Sequence, residues 1–206
     1  MPIEAVFFDV GETLVDESRM WLSVASSLGI PAFTLLGVVG GLAARGEDHR
    51  RAFALLCPGV PVPDAPPVTA ADFYPDALPC LVACRAAGWV IGLAGNQPAA
   101  AEARLRDLGL DVDVVASSAG WGVEKPSPEF FARVVAAAGC QAGRIAYVGD
   151  RVDNDVRPAA ATGMVPVFVR RGPWGVLHAD AAVAAGAALC VDGLAGLADR
   201  LRGLSV

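Results

Sequence analysis

Hydrophobic and polar positions along the chain follow two different rhythms. Near the start, IEAVFF is a short apolar run that ends on the acidic Asp9 and on Gly11, the pattern of a strand entering a loop. Between Asp16 and about Pro79 the pattern changes: SRMWLSVASSLG and FTLLGVVGGLAARGEDHRRAFALL suit helices, and CPGVPVPDAPPVTAAD reads as a loop or linker. This predicts an inserted, mainly helical unit over residues 16–79. A strand–helix alternation then begins. GWVIGLAGN reads as a strand, QPAAAEARLRDLG as a helix with Pro98 near its first turn and Gly109 at its end, and VDVVASS as a strand. SPEFFARVVAAAG reads as a helix with Ser127 as N-cap, Pro128 at the first position and Gly139 at the far end. RIAYVGD, DVRPAAATG and VPVFVRRG continue as strand, short helix and strand, and VDGLAGLADRLRGLSV supplies a short strand and a terminal helix. The expected fold is therefore α/β, a mainly parallel sheet flanked by helices, with residues 1–15 and 80–206 forming the core.

Such a sheet gathers its ligand loops beyond the carboxyl ends of its strands. Asp9, Gly95, the loop before Lys125 and Asp150 are thereby expected to converge despite their separation in sequence.

Composition narrows the function classes. A formal charge of -6 argues against a dominant nucleic-acid surface, though a local cation or metal can still make a pocket attractive to small phosphorylated molecules. Cys57, Cys80, Cys84, Cys140 and Cys190 form no recognisable disulfide or zinc framework, so reduced thiols are expected. No segment has the pattern of a signal peptide or a membrane span, and a cytoplasmic protein is the expectation.

The candidate chemistry lies in three loops. A carboxylate at Asp9, behind an apolar run, must be paired, neutralised or held against a metal if it is shielded from water; the alternative is a plain Asp-x-Gly turn. GDRVDND brings Asp150, Asp153 and Asp155 into one loop, where hard oxygen ligands suit Mg²⁺, or where an exposed acidic turn suffices. Lys125, in GVEKPSP, is the single lysine of the chain, every other strongly basic side chain being arginine. A compact ammonium can reach between a carboxylate and an oxyanion in a way that the planar guanidinium fork does not, although chance retention on a surface gives the same count.

In their order along the chain, FFDVGETLVD, VIGLAGN, GVEKPSPEFF and YVGDRVDNDV resemble the motifs of the haloacid dehalogenase-like hydrolase superfamily, which includes many phosphatases. The resemblance implies a Rossmann-like core with a helical cap inserted after the first motif. It implies Asp9 as carboxylate nucleophile and metal ligand, Lys125 as the neutralising cation, and Asp150 and Asp155 as metal ligands, with the Gly11 carbonyl completing a Mg²⁺ site. Thr13 would support the turn, and Gly95, Asn96 and Lys125 would meet the transferring phosphoryl group.

Two positions depart from that pattern. Many phosphatases of the superfamily carry a second aspartate where this chain has Gly11, and a Ser or Thr where it has Gly95. Glu12, the adjacent ionisable group, is the candidate catalytic residue for proton transfer in place of that aspartate. The resemblance thus implies a Mg²⁺-dependent phosphatase of a small phosphorylated metabolite, with two alternatives: a noncatalytic phosphate-ligand binding or interaction protein, and a haloacid dehalogenase-type hydrolase. Neither nucleic acid nor membrane is an expected partner. In ARGEDHRR, Arg45 is a candidate contact for an anionic substrate, and the segment otherwise reads as a polar helix end; RRGPWG reads as a loop after the last core strand.

Overall fold

The computed structural model describes residues 2–204. After strand β1 (Ala5–Phe8) the chain forms helices α1 (Ser18–Ser27), α2 (Ala32–Ala44) and α3 (Arg51–Leu56), then returns through α4 (Ala77–Ala86) to β2 (Val90–Gly95). Next come α5 (Ala99–Asp107), β3 (Val114–Ser117), the one-turn α6 (Ser118–Trp121), α7 (Pro128–Ala138) and β4 (Ile145–Gly149). The chain ends with α8 (Arg157–Ala161), β5 (Val165–Val169), α9 (Gly172–His178), β6 (Leu189–Val191) and α10 (Leu197–Arg202).

The six strands form one parallel sheet in the order β3-β2-β1-β4-β5-β6, a Rossmann-like core. Successive side chains of a strand face opposite ways, and β1 divides accordingly. Val6 and Phe8 join a core with residues of α4, α5 and α10, while Ala5 and Phe7 join another with Phe130, Phe131 and Val134 of α7. Phe7 stands opposite Gly92 in the register, and its ring fills the space a side chain there would need. Helix α7 begins and ends as its sequence dictates: the Ser127 side chain accepts the Glu129 N–H, Pro128 is first, and Gly139 closes the helix in the left-handed conformation.

The helical insertion has its own apolar cluster, built from Trp21, Val24, Leu35, Val39 and Leu42. It leaves and re-enters the core side by side. Val15 pairs antiparallel with Phe73, the Asp16 N–H donates to the Asp72 carbonyl at 2.8 Å, and the Tyr74 N–H donates to the Leu14 carbonyl at 2.9 Å. Arg19 clamps this doorway through two hydrogen bonds of 2.6 Å to Asp72. Phe73, Ala77 and Cys80 pack with the sheet, so α4, which the expected division at residue 79 would split, lies against the core as one helix.

RRGPWG differs from the expected loop. Its proline sits at the start of α9, where a missing N–H costs nothing, and Trp174 of that helix packs into the cap cluster. Cys80 and Cys84 are buried thiols, and no disulfide forms among the described residues. No single helix among them is long and apolar enough to cross a membrane.

Candidate active site

The loops beyond the strand ends meet in a cleft of about 840 Å³ between core and cap. Asp9 follows β1, and its N–H donates to the Val148 carbonyl of β4 at 2.8 Å, which fixes the backbone from which its carboxylate projects. Asp150 follows β4, and Asp155 lies in a wide helical turn over Val152–Val156. The Asp155 side chain lies against the backbone of Gly149, where a Cβ would overlap it.

Lys125 enters from the loop before α7, and its ammonium donates to Asp9 Oδ1 and to Asp155 Oδ1, each at 2.7 Å. Its side chain is 2% exposed. Burial alone would push its pKa down, but the carboxylates of Asp155 and Asp9 more than reverse this and hold the amine charged. The Tyr147 ring lies beneath it at 5.7 Å, and the Tyr147 hydroxyl is spent on the Ala94 carbonyl at 2.7 Å.

Carboxylate oxygens of Asp9, Asp150 and Asp155 lie within 4.8 Å of one another. Three carboxylates against one ammonium leave a negative excess in a buried setting, and no cation among the described residues pairs with Asp150. Burial, and then the neighbouring Asp155 and Asp9, push the Asp150 pKa well up. A hard divalent cation is the partner this donor set fits, since it would supply the missing positive charge to oxygen ligands already gathered.

Other expected residues take different places. Asn96 lines the cleft, but its side chain is bonded to the backbone of Lys125, Nδ2 donating to the carbonyl at 3.0 Å and Oδ1 accepting the N–H at 2.7 Å. It positions the lysine loop with its oxygen and one N–H. Gly95 lets Asp9 lean toward Lys125, because a Cβ there would overlap Asp9 Oδ1. Thr13 is wholly buried in the turn after Asp9, and its hydroxyl has no hydrogen-bond partner among the described residues. That placement removes it from the cleft wall. Arg45 is likewise not brought to the cleft; it pairs with Glu47 at 2.5 Å, and the neighbouring Arg50, paired with Asp48, lines the cleft instead.

Glu12, the ionisable neighbour of Gly11, adopts φ 53° in the left-handed region and folds toward Tyr74 at the doorway between core and cap. Its carboxylate accepts the Tyr74 hydroxyl at 2.6 Å and the Glu17 N–H at 3.1 Å, and its stem packs over Gly172. Burial raises its pKa against the lowering pull of Tyr74.

The residue that sequence reasoning passed over is Glu17. After Asp9 the chain turns back sharply: Val15 N–H donates to the Val10 carbonyl at 3.0 Å and Glu12 N–H to the Val15 carbonyl at 2.7 Å. This reversal lays the Glu17 carboxylate directly over Gly11, where a Cβ would overlap it. Burial, reinforced by Glu12 and Asp9, pushes the Glu17 pKa up to about 8, with the Trp21 side chain pulling the other way. In the sequence it is only one of two acids before a helix, and no spacing rule announces its return to Gly11.

Known proteins resemble this chain in sequence and in fold. The profile described as haloacid dehalogenase-like hydrolase matches residues 63–163. The chain is 30% identical over 201 residues to the glyceraldehyde 3-phosphate phosphatase of Methanopyrus kandleri, covering 84% of this chain and 86% of that one. The crystal structure of a HAD phosphatase from Thermococcus onnurineus superposes with a TM-score of 0.63 at 22% identity, covering 99% of this chain and 100% of that one. The L-2-haloacid dehalogenase from Xanthobacter autotrophicus, solved with chloropropionic acid covalently bound, has a TM-score of 0.68 at 20% identity over 98% of this chain and 100% of its own. The two solved structures share the fold, and the chain belongs to the haloacid dehalogenase-like hydrolase family.

Proposed function

We propose that the protein is a Mg²⁺-dependent phosphatase of small phosphorylated metabolites that works through a phosphoryl group carried on Asp9. The observation that carries this reading is the ammonium of Lys125 shared at 2.7 Å between Asp9 and Asp155, with Asp150 buried beside them.

The residues divide the work as follows. Asp9 attacks phosphorus and forms an acyl phosphate, splitting hydrolysis into two steps. Lys125 screens the approach of a dianionic phosphoryl group to a carboxylate, and the backbone N–H groups of Gly95 and Asn96 meet the transferring oxygens. Asp155 holds Lys125 in place through its Oδ1 and anchors itself by accepting the Arg151 N–H at 2.9 Å. Mg²⁺ held by Asp9, Asp150, Asp155 and the Gly11 carbonyl would supply charge neutralisation at the phosphoryl oxygens. The cap closes the cleft with Trp21, His49 and Arg50, limiting bulk water around the acyl phosphate and favouring a small substrate.

The relative from Methanopyrus kandleri makes glyceraldehyde 3-phosphate the first compound to assay. Phosphate release from it, and from a panel of short sugar phosphates, should require Mg²⁺ and be abolished by Asp9→Asn. Binding of these phosphates without turnover would favour the noncatalytic alternative, and chloride release from 2-chloropropionate in place of phosphate release would favour the dehalogenase one.

A further inference from the structure

We infer that Glu17, reaching in from the start of the cap, is the acid/base residue of this site, taking by its fold-back the place a side chain at position 11 would occupy. The inference rests on the phosphatase reading above. An alkyl phosphate needs a proton on its departing oxygen, and the acyl phosphate needs a base for the incoming water.

Among the groups near Asp9, Asp150 is assigned to the metal and the rest are engaged. Lys125 is locked between Asp9 and Asp155, Asp155 also accepts the Arg151 N–H, and Glu12 is bound to Tyr74. His49 is wedged edge-on between the rings of Trp21 at 5.9 Å and Trp174 at 5.1 Å. Glu17 lines the cleft, enters no ion pair among the described residues, and its carboxylate lies against Gly11, two residues beyond Asp9. Gly11 and Glu17 are therefore a matched pair: the glycine leaves the opening, and the glutamate fills it from the far side of the turn.

In the first step a bond forms between Asp9 and phosphorus while the bond from phosphorus to the ester oxygen breaks, and protonated Glu17 gives its proton to that oxygen, releasing the alcohol. In the second, the Glu17 carboxylate takes a proton from water as its oxygen attacks phosphorus. The bond to Asp9 breaks, freeing phosphate and both carboxyl groups in their starting states.

The test compares an activated and an unactivated ester in the full-length protein with Mg²⁺. Glu17→Gln should slow turnover of glyceraldehyde 3-phosphate by about 100-fold to 10,000-fold. With p-nitrophenyl phosphate, whose leaving group needs no proton, it should release about one equivalent of p-nitrophenol rapidly and then turn over slowly, because only the second step has lost its base. Gly11→Asp alone should be impaired by collision with Glu17, while Gly11→Asp combined with Glu17→Ala should recover at least tenfold over Glu17→Ala on the alkyl ester. Equal losses on both esters without a burst, or wild-type turnover that Asp9→Asn abolishes and Glu17→Gln leaves unchanged, would overturn the role of Glu17 alone. Wild-type protein that hydrolyses neither ester would overturn the phosphatase reading and this inference with it.

Discussion

The side chain of Asn96 holds both backbone polar groups of Lys125, donating to its carbonyl at 3.0 Å and accepting its N–H at 2.7 Å. The loop after β2 thereby sets where the chain's one lysine starts, and the ion pairs with Asp9 and Asp155 set where it ends. Asn96→Ala should lower turnover about tenfold to 100-fold by loosening that register, at a stability cost of about 1–3 kcal/mol for two net hydrogen bonds. Steady-state kinetics and urea unfolding of the same preparation would check both figures.

Removing the ammonium should hurt the fold as well as the chemistry. Lys125→Met leaves the Asp9 and Asp155 carboxylates facing each other without their shared cation. Loss of one partner from a buried charge cluster costs about 3–5 kcal/mol. Thermal unfolding in chelator should show this loss at neutral pH, and turnover should fall by more than about 1,000-fold.

Asp150 should behave in the opposite way. It is 2% exposed, and burial and two neighbouring carboxylates disfavour its charge. Asp150→Asn should therefore raise the midpoint of thermal unfolding in chelator while weakening Mg²⁺ binding at least tenfold. Calorimetric titration that gives wild-type Mg²⁺ affinity for the variant would remove Asp150 from the metal's ligands.

The doorway clamp gives a pH prediction away from the metal ligands. The Arg19 guanidinium, helped by Thr69, holds the Asp72 carboxyl well below its ordinary value of 3.8. A carboxyl lowered in the folded state contributes stability that is present above its unfolded value and is lost as pH falls toward the folded one. Wild-type protein should thus lose part of its stability below about pH 4, and Asp72→Asn should flatten that acid limb while lowering the midpoint at pH 7. Hydrogen exchange in α1 and α2 should rise in the variant more than exchange in β1 and β4.

The parts of the fold that could be read from sequence are those governed by local rules. Ser127, Pro128 and Gly139 fix α7 because capping and proline geometry act within a few residues, and the strand positions follow from apolar runs that the parallel sheet buries on both faces. The convergence of Asp9, Lys125 and Asp150 follows because a parallel sheet collects its loops at one edge. Long-range choices were hidden. Nothing in RRGPWG announces that Trp174 will leave the core for the cap cluster. Asn96 carries an amide suited to a ligand, yet a loop 29 residues away takes its oxygen and one of its N–H donors. Glu12 and Glu17 are both carboxylates close to Asp9 in sequence; a single reversal of the backbone sends the first to Tyr74 at the doorway and the second over Gly11.

The placement of Lys125 also alters how the whole molecule meets amine chemistry. Every other strongly basic side chain is an arginine, so the only ε-amine in the chain is the one enclosed beyond the carboxyl ends of the strands, 2% exposed and engaged by two carboxylates. Reagents that acylate lysine will find no accessible side-chain amine on the folded surface. Acylation at Lys125 itself, read on the peptide that carries it, then becomes a clock for opening of the cleft, with phosphate or metal ligands expected to slow it.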